Sequence, residues 1–216
     1  MRMKKILMLM FGVLMAIAMT GCGASDSAGS ASSSSKTVTV GENSSSSSAA
    51  QAASGKKALV VYYSATGRTE QVAKDLAKVK NADIMKIEPD PDYTEADLDY
   101  RNEDSRVSRE HNDESLRDQI KLKKTTPDNW AEYDTVYIGY PIWWGIAAWP
   151  MNAFVKGNDF TGKHVVTFAT AYSSPLGSSG QLLKEMAGSK GDWQDGTCFT
   201  GAIDDAKVAD WAKSLK

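Results

Sequence analysis

The sequence is poor in the residues that most often announce a chemistry. Two cysteines and two histidines in 216 residues are too few for a disulfide scaffold, and no His, Cys, Asp or Glu falls at the spacing of a metal-ligand motif. Charge of one sign is missing as well: 25 Lys+Arg against 27 Asp+Glu leave a formal net charge of -2, without the basic excess of a general nucleic-acid binder. No apolar run is long enough to span a bilayer as a stable helix. Neither the Gly-x-Gly-x-x-Gly dinucleotide fingerprint nor a Walker A ending in Gly-Lys-Ser/Thr occurs. What is present is 42% hydrophobic, the balance of one ordinary globular domain.

The averages hide a chain in three parts. Arg2, Lys4 and Lys5 precede an apolar run from Ile6 to about Met19, which has the length of the h-region of an export signal. The run ends in Met19-Thr20-Gly21-Cys22, which resembles a bacterial lipobox and implies lipidation of Cys22 after removal of residues 1–21. The plainer alternative is a secretory signal with a cysteine beside its cleavage site. From Gly23 to about Lys56, thirteen residues are serine and almost none is large and apolar, so residues 22–56 read as a flexible tether. Over some 34 residues its root-mean-square reach is about 30 to 35 Å. The expected location is the outer face of the cell membrane, held by lipid, with no nucleic-acid partner.

Residues 57–216 then carry the function. The first 56 residues take five basic and two acidic side chains, leaving 20 against 25, so the domain alone is distinctly acidic. Ala58–Tyr63 is a continuous apolar run suited to a parallel strand buried on both faces. Further strands are predicted at Ile84–Ile87, Thr135–Gly139, Val165–Ala169 and Cys198–Ala202. Helical patterns alternate with them at about 69–79, 149–155, 179–187 and 204–215, which predicts an α/β fold with a parallel sheet covered on both faces. Between Glu88 and Asp134 the rhythm breaks, and Glu88–Asp118 holds twelve acidic residues against four arginines. This stretch reads either as a solvated excursion or as an acidic docking or lid surface.

Ligands of such a sheet bind beyond the carboxyl ends of its strands. There the first loop reads Ser64-Ala65-Thr66-Gly67-Arg68-Thr69 and enters a helix directly. Its small hydroxyl residues and glycine suit a backbone curled around an anion at a helix N-terminus, and neutral donors fit a single phosphate monoester better than a triphosphate. The second loop, Tyr140-Pro141-Ile142-Trp143-Trp144-Gly145, offers flat aromatic surface for a planar ring, although neighbouring side chains of an extended segment diverge and one tryptophan is expected in the core. The third, Thr170-Ala171-Tyr172-Ser173 on to Gly177 and Gly180, is polar and turn-forming. His111 and His164 lack a catalytic partner in sequence, and surface or structural roles are expected for both. Cys198 sits in a strand-like stretch and reads as a packing residue.

Together these three loops resemble the flavodoxin family, the most specific parts being Ser-x-Thr-Gly-x-Thr at Ser64–Thr69 and Tyr-Pro-Ile-Trp-Trp-Gly at Tyr140–Gly145. The resemblance covers nearly all of residues 57–216. It implies a doubly wound five-stranded sheet of order 2-1-3-4-5, with a long insert between strands two and three, and noncovalent FMN. Ser64, Ala65, Thr66, Gly67, Arg68 and Thr69 would surround the phosphate. Pro141, Ile142, Trp143, Trp144 and Gly145 would flank the ring, and Thr170, Ala171, Tyr172, Ser173 and Gly177 would border its polar edge. Arg68 departs from the Asn common in that loop, and its charge either strengthens phosphate binding or points to solvent.

The resulting expectation is a membrane-tethered FMN protein that passes electrons, as a carrier or as a reductase of a small acceptor such as a quinone, with NAD(P)H as donor in the second case. No catalytic side chain is assigned. The competing class is a non-redox solute-binding or docking lipoprotein on the same scaffold.

Overall fold

A computed structural model describes residues 57–216. The export segment, Cys22 and the serine tether lie outside the described residues. In chain order the main elements are β1 (Lys57–Tyr62), α1 (Arg68–Lys80), β2 (Asp83–Lys86), α2 (Arg106–Asn112), α3 (Glu114–Arg117), β3 (Tyr133–Trp143), α4 (Pro150–Lys156), β4 (His164–Ala171), α5 (Ser179–Met186), β5 (Asp192–Thr200) and α6 (Asp205–Ser214).

The five strands pair in parallel in the order β2-β1-β3-β4-β5, the order that the resemblance implies. Because side chains alternate along a strand, each central strand feeds two cores. Leu59 and Val61 of β1, Val136, Ile138 and Tyr140 of β3 and Val165 of β4 pack with Met151, Phe154 and Val155 of α4 and Leu183 of α5. Val60, Tyr62, Tyr137, Val166 and Phe168 point the other way, onto Val72, Ala73, Leu76 and Ala77 of α1 and Val208 and Ala212 of α6. Strands with apolar residues at both parities therefore read as unbroken runs, and helices cover both faces of the sheet. At the seam between β3 and β4, Gly139 faces Phe168 so closely that a Cβ there would stand 2.1 Å from the ring.

The segment between β2 and β3 is folded. A two-residue antiparallel pairing of Pro89–Asp90 with Lys121–Leu122 closes its base. The side chain of Ser105 caps α2 by accepting from the Ser108 N–H, and Asp113 caps α3 by accepting from Ser115.

On the opposite face of the molecule, α1 and α6 pack side by side with a carboxylate against a carboxylate. Burial, and then Asp205 across the gap, hold the Asp75 carboxyl above its ordinary value, and Asp75 Oδ2 is buried without a partner. A carboxyl raised on folding contributes stability that is complete below its unfolded pKa and is lost as pH rises through the folded one. Asp75→Asn is therefore expected to stabilise the fold at pH 7 by on the order of 0.5 kcal/mol. The gain should vanish near about pH 4. Denaturant melts of both proteins at the two pH values check this, and an equal gain at both would exclude the charge as its cause.

Candidate functional site

The loop after β1 is built to meet an anion. Tyr63 N–H donates to Gly139 O at 3.0 Å, so the chain leaves the sheet at the carboxyl end of β1 and turns at once into α1. Gly67 occupies the N-cap with φ +87° and no side chain caps the helix. Glycine is the residue that takes this left-handed conformation without cost, and the first-turn N–H groups of α1 are left facing outward. Ser64 Oγ is buried and has no hydrogen-bond partner. Thr66 and Gly67 are exposed at the crest. Thr69 is buried, its hydroxyl 2.8 Å from that of Thr170, which fastens this loop to the end of β4.

Arg68 is half-buried, and its Nη2 donates to the carbonyls of Ala171 and Gly201, bracing the ends of β4 and β5. The reason is local: the carboxyl ends of parallel strands present carbonyls that need donors, and Arg68 starts the helix beside them.

The second expected loop is largely strand. β3 continues through Pro141 and Ile142 to Trp143, then folds back so that Ile142 pairs with Ala147 and Trp143 with Ile146. Trp144 and Gly145 form the two-residue turn, with φ +45° and +82°, the signs that tight hairpins of this length demand. The two indoles diverge as expected. Trp143 is half-buried and meets Tyr63, Tyr93 and Trp149 edge-on at 5.6, 5.5 and 5.4 Å. Trp144 is 43% exposed, and its ring lies parallel to His111 at 4.4 Å and to Trp149 at 5.8 Å. A bulky residue at positive φ is costly, and this stack holds it there.

β4 likewise runs two residues past the expected boundary, so Thr170 and Ala171 belong to the strand. The third loop begins at Tyr172, which is 91% exposed. Gly177 has φ +57°, and a Cβ there would stand 3.7 Å from Gly145 O, so the loop runs beside the tryptophan turn. Cys198 packs beneath it, its thiol donating to Ser174 O at 3.3 Å, and burial pushes that thiol up. It is a packing residue.

Between the hairpin and the third loop lies a cleft of about 380 Å³ walled by Ile142, Trp143, Trp144 and Ala171–Ser174 on one side and by Leu98, Tyr100 and Val107 on the other. A second hollow, of about 950 Å³, runs from Ala65 and Thr66 to Tyr93–Ala96 and Leu98–Arg101. Leu98 and Tyr100 line both, so the hollows adjoin and the three loops share one open basin.

One wall of that basin comes from the acidic segment, for which the sequence leaves a solvated excursion and a docking or lid surface both open and names no site residue. Tyr93 is anchored there: its hydroxyl donates to Glu110 Oε2 at 2.5 Å, Arg106 Nε donates to Glu110 Oε1 at 2.8 Å, and the Arg106 guanidinium lies 3.9 Å from the centre of the Tyr93 ring. Burial first, and then the Glu110 carboxylate, raise the Tyr93 hydroxyl far above its ordinary value, so it stays a donor. His111 packs from this segment onto Trp144, and Arg117 donates to the carbonyls of Glu110 and His111. His111 is thus structural in its contacts. His164, paired through Nδ1 with Asp192 at 2.7 Å, sits at the start of β4, at the far end of the strand from the basin. The available signal was the presence of Tyr93, Leu98 and Tyr100 within an otherwise acidic run.

The family model described as flavodoxin matches residues 57–215. The chain belongs to the flavodoxin family. Among solved structures, this flavodoxin resembles a candidate flavoprotein from Bacteroides eggerthii DSM 20697, with 37% identity and a TM-score of 0.66 over 75% of this chain and 100% of that one. A counterpart from Bacteroides uniformis ATCC 8492 is 38% identical, with a TM-score of 0.67 over 74% and 99%. A flavoprotein from Lactobacillus acidophilus NCFM, solved in complex with FMN, shares the fold at 20% identity and a TM-score of 0.50 over 73% and 99%. A comparison with curated proteins finds no match.

Proposed function

We propose that this flavodoxin binds FMN and passes electrons at the outer face of the membrane, tethered through a lipidated Cys22. The observation that carries the reading is Ser64, whose buried Oγ has no partner within the fold, placed below a helix start that no side chain caps. A buried hydroxyl without a partner is costly unless a ligand completes it, and a phosphate at this point would do so. The aromatic walls of the adjoining cleft suit a planar ring.

FMN, when bound, supplies the electron chemistry of the protein. The chain's own residues bind, orient and exclude water. Ser64, Thr66, Gly67 and Thr69 would hold the phosphate with hydroxyl and backbone donors. Pro141–Gly145 would flank the ring, with Trp144 fixed by His111 and Trp149, and Thr170–Ser173 together with Gly177 would border its edge. Trp143 lines the cleft and packs edge-on against the buried Tyr63 behind it. The basin is open above Tyr172 and Tyr100, both strongly exposed, which supports direct exchange with a redox partner, whether a protein or a small acceptor such as a quinone.

The absorption spectrum tests this first. The purified protein, as isolated or after addition of FMN and gel filtration, is expected to show bands near about 375 and 450 nm. A protein that stays colourless after FMN is supplied would sink the proposal.

A further inference from the structure

The one cation of the phosphate loop, Arg68, turns Nη2 away to the carbonyls of Ala171 and Gly201. A monoester phosphate carries close to two negative charges at neutral pH, so neutral donors leave much of that charge to solvent. Across the hollow from Ala65 and Thr66 stands Arg101, the one basic side chain among the residues lining either part of the basin. The other arginines of the acidic segment are already engaged: Arg106 with Glu110 and Pro91 O, Arg109 with Asp104 O, Arg117 with two backbone carbonyls.

Arg101 differs from them. Its side chain is 80% exposed and its single ionic contact is a loose 3.6 Å approach of Nε to Asp99 Oδ1. Asp99 is itself tied down, since the same oxygen accepts the backbone N–H of Arg101 at 3.1 Å. Asp97 is held by the Thr94 N–H and hydroxyl. Asp97 and Asp99 thus fix the turn, whereas the Glu95 side chain on the same rim makes no hydrogen bond or ion pair among the described residues. The Arg101 guanidinium lies 5.7 Å from the centre of the Tyr100 ring, and its two terminal nitrogens make no hydrogen bond or ion pair with another described residue. A guanidinium is the group best shaped to take a phosphate, through two parallel N–H donors.

We propose that Arg101, delivered by the acidic segment, is the cationic partner of the phosphate and makes this site select phosphorylated over unphosphorylated flavin. The inference rests on the FMN reading above and adds a residue outside the loop as a determinant of ligand choice. It also gives the segment a part in binding, where its net acidity alone would repel an anion. Asp99, beside Arg101, keeps the guanidinium near the rim until a stronger anion competes for it.

The test is fluorescence titration of the full chain with FMN and with riboflavin, for the native protein, Arg101→Gln and Arg101→Lys, at about 0.05 and 0.5 M salt. The native protein is expected to prefer FMN. Arg101→Gln should weaken FMN by about tenfold and leave riboflavin within about twofold, and the loss should shrink at high salt, where exposed charges are screened. Arg101→Lys should recover part of it. Unchanged unfolding midpoints are expected for so exposed a side chain. An unaltered FMN-to-riboflavin ratio in Arg101→Gln, or an equal loss for both flavins, would overturn the assignment while the FMN reading stood. A native protein that binds neither flavin would bring down both.

Discussion

Trp149→Ala is expected to cost about 3 to 5 kcal/mol of folding stability, the scale of deleting a fully buried indole. Trp149 is completely buried and stands where the tryptophan hairpin, the acidic segment and α4 meet. Trp143 lies edge-on to it at 5.4 Å and Trp144 face-on at 5.8 Å. The Arg117 guanidinium lies 4.3 Å from the centre of its ring, and Val107 and Ile120 complete its cluster. Loss of the ring leaves a cavity where these elements meet and removes one support of Trp144 in its positive-φ turn. The substitution should therefore lower the unfolding midpoint and also loosen the cleft wall. Trp149→Phe separates the two contributions. Trp149 Nε1 is a buried donor without a partner, so phenylalanine discards that unsatisfied group while keeping most of the packing, and a loss well below that of alanine is expected. Urea melts of the three proteins decide it. A cost under about 1 kcal/mol for Trp149→Ala would mean that the aromatic stack does not hold the segment to the sheet.

The sheet was legible in the sequence because its central strands are apolar at both parities, a pattern that few other settings produce. β5 was less so. Its expected start at Cys198 missed Asp192–Thr197, since an edge strand with one neighbour leaves Asp192, Gln194 and Asp195 exposed and shows no apolar run. β3 was cut short at Gly139. Tyr140 and Pro141 nonetheless stay in register with Ala169 and Thr170, and a proline is tolerated there because it lies at the mouth of the sheet. The three loops were readable from composition and position. The fourth wall was not, because Leu98, Tyr100 and Val107 meet Trp144 and Tyr172 only through tertiary packing. The local pattern of residues 88–118 advertises its many acidic side chains and does not distinguish the buried Val107 from the half-buried Tyr93 and Leu98 or the exposed Tyr100.

Arg68 shows the same limit at a single residue. Its place in the loop motif points to phosphate or solvent and gives no sign of the carbonyls of Ala171 and of Gly201, more than a hundred residues away, to which its Nη2 donates. Such a bond has no sequence signature. It arises because α1 begins beside the ends of β4 and β5, and it explains how a charged residue is accommodated in a loop otherwise made of small neutral ones.

Ser64→Ala should separate binding from folding more sharply than any substitution of an aromatic wall. A hydrogen bond to a charged acceptor contributes about 1.5 to 3 kcal/mol, so FMN affinity is expected to fall between about 10-fold and 150-fold. The protein without flavin should be unchanged or slightly more stable, because the hydroxyl removed is buried and unpartnered and its deletion relieves an unsatisfied group. Riboflavin, which lacks the phosphate, should bind both proteins alike. The opposite signs are the useful part of the prediction: a serine that merely helped the loop to fold would lower stability and weaken both flavins together. Titrations with each flavin, paired with denaturant melts of the flavin-free protein, distinguish these outcomes. A parallel loss of stability and of riboflavin affinity would reassign Ser64 to the architecture of the loop and move the phosphate to other donors of α1.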